Sequence, residues 1–272
     1  MQDIKQIIKE KVEGIWETAH DGSGHRYRNT ITGNLQRSVT TKLGILSKPH
    51  LTKWSINMAI QWLQVEDRWQ RLHHDSWRDE MINGAQMAHL DVRDDAGGVG
   101  TQAHNAIERY INDWIASGVR PADMKSFALP TDDPRAIASM RAVEAFFVKH
   151  NIVPIASELL VGMDKHSAGT LDFLCFMDGK LSLLDWKTSN SVDQISYSAQ
   201  VAAYKYFFEK MTGLKIQQCK ILHLSKDYDK FTVYKICNIN KAWTAFKQIC
   251  SVYDWMYDRK DKIISDIKRL KI

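Results

Sequence analysis

The chain has 272 residues, 44% hydrophobic and 25% charged, which suits a folded protein with a large apolar core and excludes a disordered composition. Its formal net charge of +5 is mildly basic, compatible with a nucleic-acid partner without requiring one. No run approaches about eighteen apolar residues, which excludes a helical membrane span, and the four cysteines (Cys175, Cys219, Cys237 and Cys250) form no CxxC pair, so they read as buried free thiols of a reducing compartment. Charges at Asp3, Lys5, Lys9 and Glu10 predict no secretory signal and a cytoplasmic location.

Along the chain, Ile4, Ile7, Ile8, Val12, Ile15 and Trp16 predict an amphipathic helix, broken by Asp21-Gly22-Ser23-Gly24. Residues 25–32 and 35–40, joined through Gly33-Asn34, predict a hairpin. From residue 53 to about 90 the pattern is helical and rich in tryptophan: Trp54, Trp62, Trp69 and Trp77. Basic and aromatic residues alternate there (Lys53, Trp54, Arg68, Trp69, Arg71, Trp77, Arg78), a mix that either holds phosphates and stacks unpaired bases or divides into a core face and a solvated face. His73-His74-Asp75 is a poor metal site, because adjacent helical residues face different directions. The Asp- and Gly-rich residues 91–98 predict a loop, followed by a helix that carries His104 and runs to about Ser117. Pro121, Pro130 and Pro134 mark a loop before a helix over residues 135–149.

A β core follows over residues 153–188, then a helix around Gln200, strands over 216–224 and 231–237, and a helix from Asn240 to about 271. In its tail Arg259, Lys260, Lys262, Lys268, Arg269 and Lys271 are interspersed with Asp258, Asp261 and Asp266, which reads as a solvated face. No internal repeat or low-complexity linker breaks the chain. The division is a helical part with a hairpin over residues 1–150 and an α/β core over residues 151–272, in one domain.

The most informative segment is Ala168-Gly169-Thr170-Leu171-Asp172-Phe173 followed by Leu183-Leu184-Asp185-Trp186-Lys187-Thr188. Asp178-Gly179-Lys180 predicts a tight turn between two apolar strands. The fold-back sets Asp172 near Asp185, and strand alternation puts Asp185 and Lys187 on one face and Trp186 on the other. Two carboxylates and a lysine are costly in an apolar hairpin unless they share a cation. Mg²⁺ takes hard oxygen ligands and keeps waters, and a lysine beside it can polarise an attacking water. A salt-bridged sheet end is the structural alternative.

Upstream, Pro154-Ile155-Ala156-Ser157-Glu158-Leu159-Leu160 is an apolar strand with one acid in it. Downstream, Gln200 and Tyr204 lie four residues apart on one helical face. This order of acid-bearing strand, Gly-Thr-x-Asp-Phe strand, Asp-x-Lys strand and Gln-x-x-x-Tyr helix resembles the PD-(D/E)xK nuclease superfamily. It is most similar to the RecB-like branch of RecB nuclease domains, CRISPR-associated RecB-like nucleases, mitochondrial genome maintenance exonucleases and phage exonucleases. Gly100-Thr101-Gln102-Ala103-His104-Asn105-Ala106-Ile107-Glu108 resembles the branch's G-x-x-x-H-x-x-x-E helix, and Arg37-Ser38-Val39-Thr40 its Ser-Val-Thr segment. The resemblance spans residues 27–206 in the expected order. Leu171 stands where the superfamily name has proline, and no cysteine pattern supports the iron–sulfur cluster of some relatives.

The resemblance implies a restriction-endonuclease-like mixed sheet flanked by helices. It implies that Asp172 and Asp185 bind Mg²⁺ or Mn²⁺, that His104 is a further ligand, and that the Trp186 carbonyl completes the shell. Lys187 would position the water, and Glu158 would ligate a second metal or orient Lys187. Gln200 and Tyr204 would support the lysine or the scissile phosphate, and Thr188 and Ser189 would cap the next segment or touch phosphate. Glu108, one turn after His104, faces the same site or is a surface acid; Tyr204 among Ala202, Ala203, Phe207 and Phe208 also suits packing.

The leading expectation is a metal-dependent deoxyribonuclease, an exonuclease acting on DNA with a free end or single-stranded character in phage-type recombination, replication or repair. A recombinase, single-strand-binding protein or helicase is the expected partner, since the chain has no G-x-x-x-x-G-K-[ST] motif of its own. The alternatives are a structure- or sequence-specific endonuclease on the same core, a non-catalytic DNA-binding module, and a purely structural α/β protein.

Overall fold

The computed structural model describes residues 2–21, 24–65, 77–127, 133–226 and 229–257. Expectations that fall on Arg68, Trp69, Arg71, His73, His74, Asp75, Pro130 and the charged residues from Asp258 to Lys271 lie outside the described residues. The chain is α/β. Its elements run α1 (Gln2–Lys11), β1 (Trp16–Asp21), β2 (Gly24–Asn29), β3 (Leu35–Arg37), α2 (Val39–Leu43), α3 (Pro49–Leu63), α4 (Trp77–Ser117), a short 3-10 turn (Lys125–Phe127) and α5 (Pro134–Lys149). Then come β4 (Ile152–Met163), β5 (Ser167–Met177), β6 (Lys180–Lys187), α6 (Gln194–Thr212), β7 (Gln218–Leu224), β8 (Phe231–Lys235) and α7 (Ile239–Tyr257).

The main sheet is mixed, in the order β4-β5-β6-β7-β8. β4, β5 and β6 pair antiparallel, β6 pairs β7 in parallel across the α6 crossover, and β8 returns antiparallel. The β5–β6 turn is as short as its sequence predicts: Met177 pairs Lys180, and Asp178 and Gly179 hold φ of 51° and 76°. β6 is the central strand, buried from Leu181 to Trp186. On one face Leu174, Leu183, Ala199, Phe207 and Phe246 form one core with α6 and α7. On the other, Phe173, Leu184 and Trp186 pack against Ile107, Tyr110, Phe146 and Phe147 of α4 and α5. Among the described residues no helix is long and apolar enough to cross a membrane.

Four sequence expectations are corrected. The first helix stops at Lys11 rather than reaching Trp16, because Gly14 turns at φ 74°; Trp16 opens β1, which pairs β2 to make a three-stranded sheet. Trp16 packs over Gly162, where an added Cβ would come within 2.6 Å of the indole. β3 ends at Arg37 rather than at Thr40, because the Ser38 hydroxyl accepts from the Thr41 amide at 2.9 Å and caps α2. The Ser-Val-Thr segment is thus a helix start, docked by a bridge from Ser38 to Ala168.

Residues 91–98 are no loop: α4 runs unbroken for 41 residues. Asp and Gly each weaken a helix by about 1 kcal/mol or less, and Arg135 of α5 grips Asp95 at 2.6 and 2.9 Å, so tertiary contact overrides composition. Cys175, Cys219 and Cys250 are buried free thiols as expected, but Cys237, just past β8, is exposed.

Candidate active site

The three core strands deliver one acid each. On β4, Ser157 pairs Phe173 and Leu159 pairs Leu171, which brackets Glu158 opposite Asp172 on β5. On β6, Leu184 pairs Phe173, so Asp185 follows beside Asp172. Glu158 has φ of 50°; the other non-glycine residue with positive φ among the described residues is Asp178 of the tight turn. A turn needs that conformation and a strand does not. That strained backbone falls at the residue opposite Asp172, and strain of this kind concentrates at functional sites.

Asp172 Oδ2 accepts from the Trp186 amide at 2.8 Å. Asp185 is wholly buried: Gln200 Nε2 donates to its Oδ1 at 3.2 Å, and Lys187 Nζ lies 2.6 Å from its Oδ2. That contact is a close ion pair, and a carboxylate oxygen so engaged keeps a lone pair for a further partner. Gln200 Nε2 also donates to the Tyr204 hydroxyl at 3.3 Å. Tyr204 can lie there because Gly169 has no Cβ; one would fall 2.8 Å from the ring.

His104 comes from α4. Ligand atoms of His104, Glu158 and Asp172 all lie within 4.8 Å of one another. Asp185 is outside that grouping, engaged instead by Lys187 and Gln200. His104 is also hydrogen-bonded to the Trp186 backbone. Gly100, one turn earlier, admits Thr188: a Cβ at Gly100 would meet Thr188 Oγ1 at 2.8 Å. The glycine of the G-x-x-x-H pattern therefore sets how closely α4 approaches the end of β6.

Burial and like charge dominate the electrostatics. Burial, then Asp172, Glu108 and Asp185, push the Glu158 carboxyl up to about 9. Glu108, half-buried one turn after His104, is near enough for its charge to act on Glu158. Burial raises Asp185 to about 6 against the pull of Lys187, and raises Asp172 against Lys187 and the Trp186 amide. Burial alone would lower Lys187, but attraction to Asp185 and Asp172 outweighs it and holds the ammonium above its usual range. Burial and then Lys187 lower His104 to about 4, so its imidazole is neutral at pH 7 and a ring nitrogen can ligate. Burial raises Tyr204 well above the usual phenol value, so it stays protonated.

Three clustered carboxylates facing one lysine lack positive charge, and at neutral pH a proton held by Glu158 offsets only part of the excess. A divalent cation fits this donor set of carboxylate oxygens and a neutral imidazole better than a proton does.

Tyr197 and His223 were not singled out in the sequence, and Ser189 was read there as a cap or phosphate contact, yet the three together brace the lysine. Lys187 Nζ sits 5.0 Å over the Tyr197 ring. The Tyr197 hydroxyl meets Ser189 Oγ at 3.0 Å, and the Ser189 carbonyl meets His223 Nε2 at 2.5 Å. The spacing 197, 200, 204 puts Tyr197 on the helix face of Gln200 and Tyr204, which is the signal that could have found it.

A cleft of about 770 Å³ opens over Lys187 and His104. Its walls are Trp54 of α3, Arg93 and Gly97 of α4, the segment from Thr188 to Ser191, and Lys226.

No family model matches the chain, and no curated protein matches it. Solved structures do match, among them the crystal structure of SSO0001, with 12% identity over 64% of this chain and 85% of that one. Its TM-score is 0.27, and at that score the likeness carries no argument about fold or activity.

Proposed function

We propose that the chain is a Mg²⁺- or Mn²⁺-dependent deoxyribonuclease of the PD-(D/E)xK superfamily, RecB-like branch, on a restriction-endonuclease-like core. It acts as an exonuclease on DNA with a free end or single-stranded character. The observation that carries this reading is the meeting of His104, Glu158 and Asp172 within 4.8 Å beside the buried Asp185–Lys187 pair. A bound divalent cation would supply Lewis-acid stabilisation to the charge that develops on the scissile phosphate. His104, Glu158 and Asp172 would hold it, with Asp185 and the Trp186 carbonyl alongside.

Lys187, fixed between Asp185 and the Tyr197 ring, offers N–H donors that orient a water for attack on phosphorus. Gln200 holds Asp185, and Tyr204 holds Gln200, so the lysine's counter-charge cannot swing away. The water oxygen would bond to phosphorus as the phosphorus–3′ oxygen bond breaks, the water's proton passing to solvent and the leaving oxygen taking one from it, giving a 5′-phosphate and a 3′-hydroxyl.

The test is digestion with Mg²⁺ or Mn²⁺ of end-labelled linear single strands, the matching duplex and a closed single-stranded circle. EDTA and Lys187→Ala serve as controls. Metal-dependent loss of linear strands with the circle spared supports the exonuclease, and the order of label release gives its polarity. Cutting of the circle would make it an endonuclease on the same site. DNA binding with no cleavage of any substrate would overturn the enzyme and leave a binding module.

A further inference from the structure

A second cavity, of about 490 Å³, is lined by none of the residues assigned to hydrolysis. It opens where β2, β3, the β4–β5 turn and the end of α7 meet. Among the described residues its charged lining is Arg26, Arg37, Lys42 and Lys165 with Asp164 and Asp254. Lys42 and Asp254 balance one another at 2.6 Å. Arg26, Arg37 and Lys165 then outnumber Asp164.

Strand register creates this excess. Arg26 of β2 and Arg37 of β3 are directly opposite partners, an arrangement in which like charges cost stability. Two residues along β2, on the same face, Arg28 has Glu17 opposite on β1 and meets it at 3.6 Å. The β1 partner of Arg26 is Ala19. The sheet thus answers one arginine with an acid and the other with a second arginine. Arg26 and Arg37 each have a further interaction within the protein, but five N–H donors let a guanidinium serve an anion as well.

The walls are held in place. Gln36 Nε2 donates to the Asp164 carbonyl, and Asn29 Nδ2 donates to Asp164 Oδ1 at 3.0 Å, which ties the turn carrying Lys165 to the small sheet. The Ser167 hydroxyl donates to the Arg37 carbonyl at 2.7 Å. Beside Lys165, burial and then Lys42 and Lys247 hold the His166 imidazole below its usual value against the weaker pull of Asp254, so the field there is positive. At the end of α7, Tyr257 is 44% exposed and stacks on Tyr253 with ring centroids 4.5 Å apart.

We infer that this pocket binds a phosphate-bearing small molecule of the mononucleotide class, with Arg26 and Arg37 on the phosphate and Tyr257 against the base. The volume is that of a small-molecule site. Guanidinium forks match phosphate oxygens in geometry and charge. The inference does not need the nuclease reading.

The test is calorimetric titration in EDTA at low salt with dTMP, thymidine and inorganic phosphate, paired with thermal unfolding. Wild type should bind dTMP, bind phosphate more weakly and ignore thymidine. Arg26→Gln and Arg37→Gln should each weaken dTMP binding about 10-fold, the scale of one lost charge-assisted hydrogen bond. Their ligand-free Tm should be unchanged or higher, because one of two opposed like charges is gone. Tyr257→Ala should weaken dTMP binding and leave phosphate binding unaltered. Lys187→Ala should bind dTMP as wild type does, which separates this pocket from the site of hydrolysis. No binding of dTMP or phosphate by wild type, wild-type affinity in both arginine variants, or a lower Tm in both would overturn the site. Equal affinity for dTMP and phosphate, with no effect of Tyr257→Ala, would overturn the nucleotide and support free phosphate as the ligand. Binding of dTMP through Arg26 and Arg37 by a protein that cleaves no DNA would keep this pocket and reject the nuclease.

Discussion

Among the described residues two lysines sit over a tyrosine ring and against an aspartate at 2.6 Å: Lys42 with Tyr253 and Asp254, and Lys187 with Tyr197 and Asp185. Their surroundings differ. At Lys42 the ammonium is the buried member, 4% exposed, while Asp254 is 38% exposed and keeps much of its hydration. At Lys187 the order reverses, with Asp185 0% and the lysine 16% exposed. Asp172 and Glu158 then crowd the same space, so carboxylates outnumber the lysine. The same pair geometry is a tie where charges balance and water reaches one partner. It becomes a demand for another cation where acids are buried in excess.

Replacement of either member separates the two pairs most sharply. Lys187→Ala or Asp185→Ala should cut DNA cleavage by about 10³-fold, within the range of losing a group that positions or transfers a proton. Circular dichroism and DNA binding should remain near wild type. Full activity in either variant would reject the assigned site. Lys42→Met should instead lower stability by about 2 kcal/mol, a buried-pair loss discounted for the exposure of Asp254. Cleavage per folded molecule should be unchanged. Adding Asp254→Leu should restore much of that stability in urea unfolding, whereas no second substitution at Asp185 should rescue Lys187→Met.

Charge excess also gives a pH dependence. In metal-free protein Glu158 ionises near 9 when folded and near its ordinary value of 4.5 when unfolded. Between those values the folded chain binds the extra proton, so stability falls as pH rises. The fall is at most about 1.4 kcal/mol per pH unit from this group. Thermal unfolding in EDTA from pH 6 to 9 should therefore show a declining Tm that Glu158→Gln flattens. An equal decline in the variant would remove Glu158 from the cause. His104→Ala should raise the Mn²⁺ concentration needed for half-maximal cleavage at least about 10-fold, the lower end even for groups that only support a ligand. Its affinity for DNA should not change; an unaltered metal requirement would return His104 to a structural role.

The smallest effect concerns the brace under Lys187. Tyr197→Phe keeps the ring and should change kcat by less than about 3-fold, while Tyr197→Leu should lower it by about 10-fold at similar KM, within the range of one desolvated cation–π contact. Equal losses in both variants would assign the effect to the Ser189 contact instead.

The hairpin that carries Asp172, Asp185 and Lys187 was legible because its determinants are local. The Asp178-Gly179 dipeptide sets the turn, and strand alternation sets which side chains share a face. The Gln200–Tyr204 pair was legible for the same reason, through helical spacing. What lay outside the reading depends on distant partners. Residues 91–98 look like a loop until Arg135 holds Asp95. Trp16 looks helical until β2 pairs with its strand. No local pattern states the left-handed backbone of Glu158, or the burial that makes His104 neutral.

The most direct test of the central claim is calorimetric titration of Mn²⁺ into chelator-stripped protein at pH 8, in buffers of different ionisation enthalpy. At that pH Glu158 holds its proton in the folded protein, since its carboxyl is pushed up to about 9. A cation in the site must displace that proton. The account predicts about one proton released per Mn²⁺ bound, with binding weakened in Asp172→Asn and His104→Ala and the proton release lost in Glu158→Gln. No Mn²⁺ binding, or binding that these three variants leave unchanged, would contradict it.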